Sequence, residues 1–252
     1  MKKIACILFF ILSCSLHAVS PYIDVSPSQS LIRDPIGQGD YLNPQFIKHI
    51  DPKAISLILE IGSRDCIDAL DLSRFYKAHV YAFECNPQAI EICRHNIGMN
   101  PNITLVPFAA WNETTQLTFY PTIPGGELCV IGTSSLFKFD PQGPVRNSQL
   151  QGEVTVEAVR LDEWLASENI SKVDLVCIDA QGATLQVLQG LEEYLPKIKY
   201  IIAEAEFQRF YLGEALYPEI VQYLSQHRFE MVTQINHHGL YADVLFVNRG
   251  VP

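Results

Sequence analysis

The sequence predicts an α/β fold: a mostly parallel, three-layer, Rossmann-like sheet that closes with a C-terminal antiparallel hairpin. Three observations lead there. From about Asn43 onward, apolar runs of strand length alternate with amphipathic runs of helix length, the pattern of parallel strands covered by helices on both faces. The runs at 56–62, 173–180 and 198–207 are apolar nearly throughout, as strands buried on both faces must be. The last two strand-like segments, "FEMVTQI" and "YADVLFVN", are joined by only "NHHGL", a link too short for anything but an antiparallel pair.

Taken in order, "SLILEIG" (56–62) is the first buried strand. "DCIDALDLSRFYK" (65–77) is a helix with Asp65 as its N-cap, and "AHVYAFE" (78–84) is a second strand. "NPQAIEICRHNI" (86–97) opens with Asn at the cap and Pro at the first helical position, a strong start signal. "ITLVPFAAW" (103–111) is a third strand, and "TQLTFYPT" (115–122) reads as an added hairpin strand. Residues 123–150 form a long Gly/Pro-containing loop, a length usually tied to function or mobility. "EVTVEAV" (153–159) is a strand, "LDEWLAS" a short helix, and "VDLVCIDA" (173–180) the fourth buried strand. A helix is expected over 182–195, a fifth buried strand over 198–207 and a last helix over 216–227.

The N-terminus differs from the rest. "MKK" precedes 13 apolar residues, Ile4 to Leu16, and then small residues at Ala18 and Ser20. This is the three-part pattern of a secretory signal peptide, and the run is short for a spanning helix of about 20 residues. The competing readings are an uncleaved membrane anchor over 1–20 and a lipoprotein modified at Cys14. Residues 21–42 follow as a loop-rich extension, and 43–252 as the α/β domain. The expected location is exported or periplasmic, or membrane-anchored; a cytoplasm-facing domain stays open, with membrane contact only through the N-terminal segment.

The chain carries 18 Lys plus Arg against 28 Asp plus Glu, a net charge of −10 without any basic run. Such a chain is a poor ligand for nucleic acid or anionic lipid, so no nucleic-acid partner is expected. Beyond the leader stand Cys66, Cys85, Cys93, Cys129 and Cys177. An odd, irregular set without a CxxC pair is neither a disulfide framework nor a cysteine zinc site. That usage suits a reducing compartment, in tension with the leader.

In open α/β sheets, ligands bind beyond the carboxyl ends of the strands. Here those ends are Glu60-Ile61-Gly62-Ser63, Glu84-Cys85-Asn86, Ala110-Trp111 and Asp179. Glu84 ends the second strand, where a carboxylate can accept both hydroxyls of a ribose. Gly62 permits close backbone approach. Ser63 and Asp65 are helix-cap residues that can also face a ligand.

With those residues in view, the chain resembles the FkbM family of S-adenosylmethionine-dependent methyltransferases. The matching stretches are "EIGSRDC" (60–66), "VYAFECNPQAI" (80–90), "GTSSL" (132–136), "VRLDEWL" (159–165), "VDLVCIDAQGATLQVLQGL" (173–191) and "ADVLFV" (242–247). The resemblance implies the class I methyltransferase sheet and S-adenosylmethionine as cofactor. It also implies O-methylation of a small-molecule or glycan-like acceptor. By it, Glu60, Gly62 and Ser63 line the methionine side, Glu84 holds the ribose, Cys85 and Asn86 lie at the adenine or ribose edge, and Asp179 faces the reacting methyl. Asp65, at the helix cap, and Ala110, at a neighbouring strand end, join the expected cofactor set. Relatives often carry glycine where this chain has Cys66, so Cys66 is expected to crowd the cofactor.

Candidate bases are Asp179, Glu204, Glu206, His237 and His238. Asp179 and Glu204 are favoured as catalytic because each ends a central strand, and the two histidines are expected in a tight turn. Asp179 could supply one metal ligand, but no second ligand stands at a recognisable spacing, so no metal is expected. Two other functions compete. A nicotinamide oxidoreductase would need a G-x-G-x-x-G turn, which "EIGSRDCID" lacks. An exported, non-catalytic binding or effector protein on the same fold is the other, motivated by the leader.

Overall fold

The computed structural model describes residues 31, 39–127, 129–144 and 148–251. The predicted leader lies outside them, as does most of the predicted extension. After a turn at Asp40–Leu42, the chain forms α1 (Pro44–Ile47), β1 (Leu57–Ile61), α2 (Ile67–Tyr76), β2 (His79–Phe83), α3 (Pro87–Ile97) and β3 (Ile103–Val106). Short strands follow: β4 (Ala109–Trp111), β5 (Thr115–Phe119), β6 (Thr122–Ile123), β7 (Leu150–Gln151) and β8 (Val154–Arg160). The remainder is α4 (Leu161–Ser167), β9 (Leu175–Ile178), α5 (Thr184–Gly190), β10 (Tyr200–Glu206), α6 (Tyr217–Gln226), β11 (Phe229–His237) and β12 (Tyr241–Asn248).

Seven strands make the central sheet, in the order β11-β12-β10-β9-β1-β2-β3. The five from β10 to β3 are parallel, and β12 enters antiparallel between β10 and β11. This is the predicted sheet with its closing hairpin. Alternate residues of each inner strand feed opposite cores. Leu59, Val176 and Ile201 pack with Leu165, Val187 and Ile220 of α4, α5 and α6. Their neighbours Ile58, Leu175 and Ile202 pack with Phe46, Leu72 and Cys93 of α1, α2 and α3. Asn43 and Asn86 each accept a backbone N–H two residues on, capping α1 and α3 ahead of a proline.

Several predicted elements are revised. The strand expected over 103–111 breaks at Pro107, which has no N–H to continue a ladder. Its first half, β3, stays in the main sheet. Its second half, β4, runs parallel to β8 in a separate sheet ordered β4-β8-β5. The segment expected as a hairpin strand over 115–122 is therefore β5, paired antiparallel to β8 rather than to its sequence neighbour β4. The helix expected over 182–195 ends at Gly190, where a Cβ would lie 2.1 Å from the Trp111 carbonyl oxygen. Turns carry the chain on from there, still burying Leu191 and Leu195. Asp65 caps α2 as expected in function, accepting the Ile67 N–H at 3.0 Å, although Cys66 is the residue that immediately precedes the helix. His237 ends strand β11, and only His238 of the two histidines lies in the turn. Among the described residues, no helix is long and apolar enough to cross a membrane.

Candidate active site

Because β1, β2, β9 and β10 are parallel, their carboxyl ends reach one edge of the sheet; the end of β11 and the start of β12 meet them there. At the β1 end, Gly62 and Ser63 both donate backbone N–H to the Phe83 carbonyl at 3.0 Å. Gly62 has φ +87°, and a Cβ on it would lie 1.9 Å from the Asp179 carbonyl oxygen. Its small size is thus required first by the β1–β9 approach. The chain then passes through left-handed Arg64 and Cys66, φ 50° and 59°. The Arg64 N–H donates to Glu84 Oε2 at 2.7 Å, and the Asn86 N–H to Glu84 Oε1 at 2.7 Å. The Cys85 N–H also reaches this carboxylate, which leaves about one of its four accepting sites for a ligand.

Two cavities open on this edge. The first, about 630 Å³ including its open mouth, lies over β1 and β2. Gly62, Glu84, Cys85 and Asn86 line it, with an apolar wall of Ile61, Phe108, Ala109, Ala110 and Leu136. The second, about 880 Å³, lies over β9, β10 and the closing hairpin. Asp40, Glu204, Glu206, Tyr211, His237 and Asp243 line it. Arg64, Gly132, Asp179 and Gln181 line both. The 131–136 segment of the long loop roofs the pair, with Ile131, Ser134 and Leu136 over the first cavity and Thr133 over the second.

Gln181 ties the junction together. Its Nε2 donates to Asp179 Oδ1 at 2.6 Å and to Glu204 Oε1 at 3.0 Å, and its Oε1 accepts from the Tyr211 hydroxyl at 2.6 Å. Burial raises the Asp179 carboxyl above its usual range, opposed by the Gln181 amide and the Arg64 charge. Glu204 is pushed well up by burial and by the nearby Asp179 and Glu206 carboxylates. Glu206 rises to about 8 through burial and the Glu214 charge. Asp243, facing Glu204 across the β10–β12 pairing, rises to about 6 through burial, with His237 opposing.

Sequence-predicted residues thus divide. Gly62, Glu84, Cys85, Asn86, Ala110 and Asp179 line the first cavity. Glu60, Ser63 and Asp65 do not: Ser63 donates its hydroxyl to Glu60 Oε2 in the interior, and Asp65 is spent on α2. Cys66 is fully buried, away from both cavities and in contact with Cys93, so it does not crowd the first cavity. Arg64, Gln181 and Tyr211 were not singled out from the sequence. Arg64 and Gln181 stand inside "EIGSRDC" and "IDAQGA", which was the available signal; Tyr211 had none.

Residues 59–231, more than half of the chain, match the family model described as Methyltransferase FkbM domain. The chain belongs to the FkbM methyltransferase family. As a member it is a methyltransferase with S-adenosylmethionine as methyl donor. It is 31% identical over 199 residues to 2-O-methyltransferase NoeI of Sinorhizobium fredii, covering 76% of this chain and 79% of that one. It is 25% identical over 146 residues to hexuronic acid methyltransferase AglP of Haloferax volcanii, covering 57% of this chain and 52% of that one. Among solved structures, the Methanococcus jannaschii fibrillarin pre-rRNA processing protein superposes with a TM-score of 0.51 at 13% identity, covering 90% of this chain and 87% of that one; this likeness concerns the fold. The first cavity of this FkbM chain suits the donor. Glu84 has acceptor capacity left for a ribose hydroxyl, the apolar wall suits a purine, and the Asp179 carboxyl at the junction can face a sulfonium cation.

Proposed function

We propose that this chain is an O-methyltransferase acting on a hydroxyl of a sugar-like acceptor. The observation that carries the reading is the junction: an apolar cavity ending at Glu84 and a polar cavity rich in carboxylates meet at Asp179. S-adenosylmethionine bound in the first cavity supplies an electrophilic methyl group. Glu84 would hold its ribose, with Cys85, Asn86, Phe108 and Ala110 at the base. Gly62 and Asp179 would lie at the methionine end, while Glu60, Ser63 and Asp65 keep the loop in shape beneath it. The second cavity presents carboxylate and amide oxygens, the partners that hydroxyl groups need. The name of AglP, a hexuronic acid methyltransferase, supports a sugar-like acceptor, and that of NoeI, a 2-O-methyltransferase, supports transfer to oxygen.

Asp179 would take the proton from the acceptor hydroxyl as the oxygen attacks. Its raised pKa makes it a stronger base near neutrality than an exposed aspartate. Gln181 orients it and links it to Glu204. We further propose that the N-terminal segment directs the domain to or through a membrane. Mass spectrometry of the mature N-terminus in the native cell tests this, and an intact Met1–Ser20 would rule out cleavage.

Calorimetry with S-adenosylhomocysteine tests the cofactor half. Binding to the wild type should weaken about 10- to 100-fold in Glu84→Ala, the scale of hydrogen bonds to a charged group. No binding to folded wild-type protein would sink the reading. Transfer of labelled methyl from S-adenosylmethionine to a panel of neutral and uronic sugars tests the acceptor half.

A further inference from the structure

Asp40, His237 and Asp243 come from three separate parts of the chain: the turn ahead of α1, the end of β11 and the start of β12. Each lines the second cavity and offers one ligand atom, and the three atoms lie within 4.8 Å of one another. His237 Nε2 is 2.7 Å from Asp243 Oδ2 and 3.6 Å from Asp40 Oδ2. We infer that Asp40, His237 and Asp243 bind a divalent cation at the acceptor end of the site.

An ion pair between His237 and Asp243 would account for the 2.7 Å contact alone. It leaves two other facts unexplained. Asp40 also approaches the same nitrogen. Moreover, the cavity sets the carboxyl groups of Asp40, Asp179, Glu204, Glu206 and Asp243 against the Arg64 guanidinium and the His237 imidazole. Glu206, 3% exposed, lines that cavity with an Oε2 that has no hydrogen-bond partner. Ionising such buried carboxyls is costly without a counter-charge, and a dipositive ion supplies one. Two carboxylate oxygens and an imidazole nitrogen form a donor set suited to Mn²⁺, Fe²⁺ or Zn²⁺. The three are spread over positions 40, 237 and 243, which is why no ligand spacing is visible in the sequence.

Three protein ligands leave coordination positions for the oxygens of a polyol, and a bound hydroxyl is acidified by the ion. That role rests on the O-methyltransferase reading above; the binding itself does not.

The test is Mn²⁺ titration of the chelator-dialysed full chain, followed by calorimetry and by loss of the free-ion paramagnetic resonance signal. S-adenosylhomocysteine binding is measured on the same samples. One Mn²⁺ per chain is expected. Affinity should fall by about tenfold or more in His237→Ala, Asp243→Asn and Asp40→Asn, with circular dichroism confirming the fold. Asp40→Asn, in a half-exposed turn, guards against misfolding of the strand variants. Absence of saturable Mn²⁺ binding by wild-type protein that binds S-adenosylhomocysteine overturns the inference. So does equal Mn²⁺ affinity in folded variants. Loss of S-adenosylhomocysteine binding with Mn²⁺ binding intact counts against the methyltransferase reading alone.

Discussion

Gly62, Cys66 and Glu206 show how much single residues decide here. Gly62 combines a positive φ with a Cβ position 1.9 Å from backbone oxygen, so no side chain fits without parting β1 from β9. Gly62→Ala should cost about 3 kcal/mol or more, read as a large drop in thermal midpoint. Cys66 was expected to crowd the cofactor, but it is buried against Cys93. Cys66→Gly should therefore leave S-adenosylhomocysteine affinity unchanged rather than tighten it. Relief of a left-handed backbone offsets the lost sulfur packing in that variant. Calorimetry and a thermal melt read the two effects separately. Glu206 and Glu214 are buried, each with an unpartnered oxygen, and their carboxyls are raised to about 8 and about 7. The folded state thus holds protons that the unfolded chain releases near pH 4.5. This contribution to stability is fully present below that pH and is lost as pH rises toward about 8. The thermal midpoint should fall over that window, and Glu206→Gln should flatten the slope.

At the scale of elements, the turn after β9 organises the junction. Gln181 sits there in a left-handed conformation, φ 47°, and its carbonyl accepts the Ser135 hydroxyl at 2.6 Å. One contact thus couples the roof loop to the residue that holds Asp179 and Glu204. Gln181→Ala removes a hydrogen bond that lowers the Asp179 pKa. The acid limb of the pH–rate profile should move to higher pH, with kcat reduced and S-adenosylhomocysteine affinity retained. An unmoved limb would show that Asp179 is not the titrating base. The roof itself was legible only as a long loop. Its glycines and prolines announce irregular backbone, but not that residues 131–136 fold back over two strand ends. Likewise the third strand read as one run over 103–111; its break at Pro107 went unread, and the pairing of β4 with β8 depends on a segment more than 40 residues later.

Across the whole molecule, two kinds of information separate. Alternating strand and helix signals, the short last hairpin and the carboxylates at strand ends were local patterns. The motif stretches "EIGSRDC" and "VDLVCIDAQGATLQVLQGL" made the family legible, whereas the local patterns determined the three-layer sheet, its antiparallel closure and the strand-end edge on which Glu84 and Asp179 stand. These properties follow from hydrophobic periodicity and from the rule that parallel strands end on one side. Only the tertiary structure decided which residues of the first loop face the cavity and which support it from beneath. It alone turned Cys66 inward, put Arg64 and Gln181 between two cavities, and gathered Asp40, His237 and Asp243. The physical reason is that side-chain direction at a left-handed turn, and proximity between distant segments, are set by packing across the sheet. No spacing along the chain encodes them.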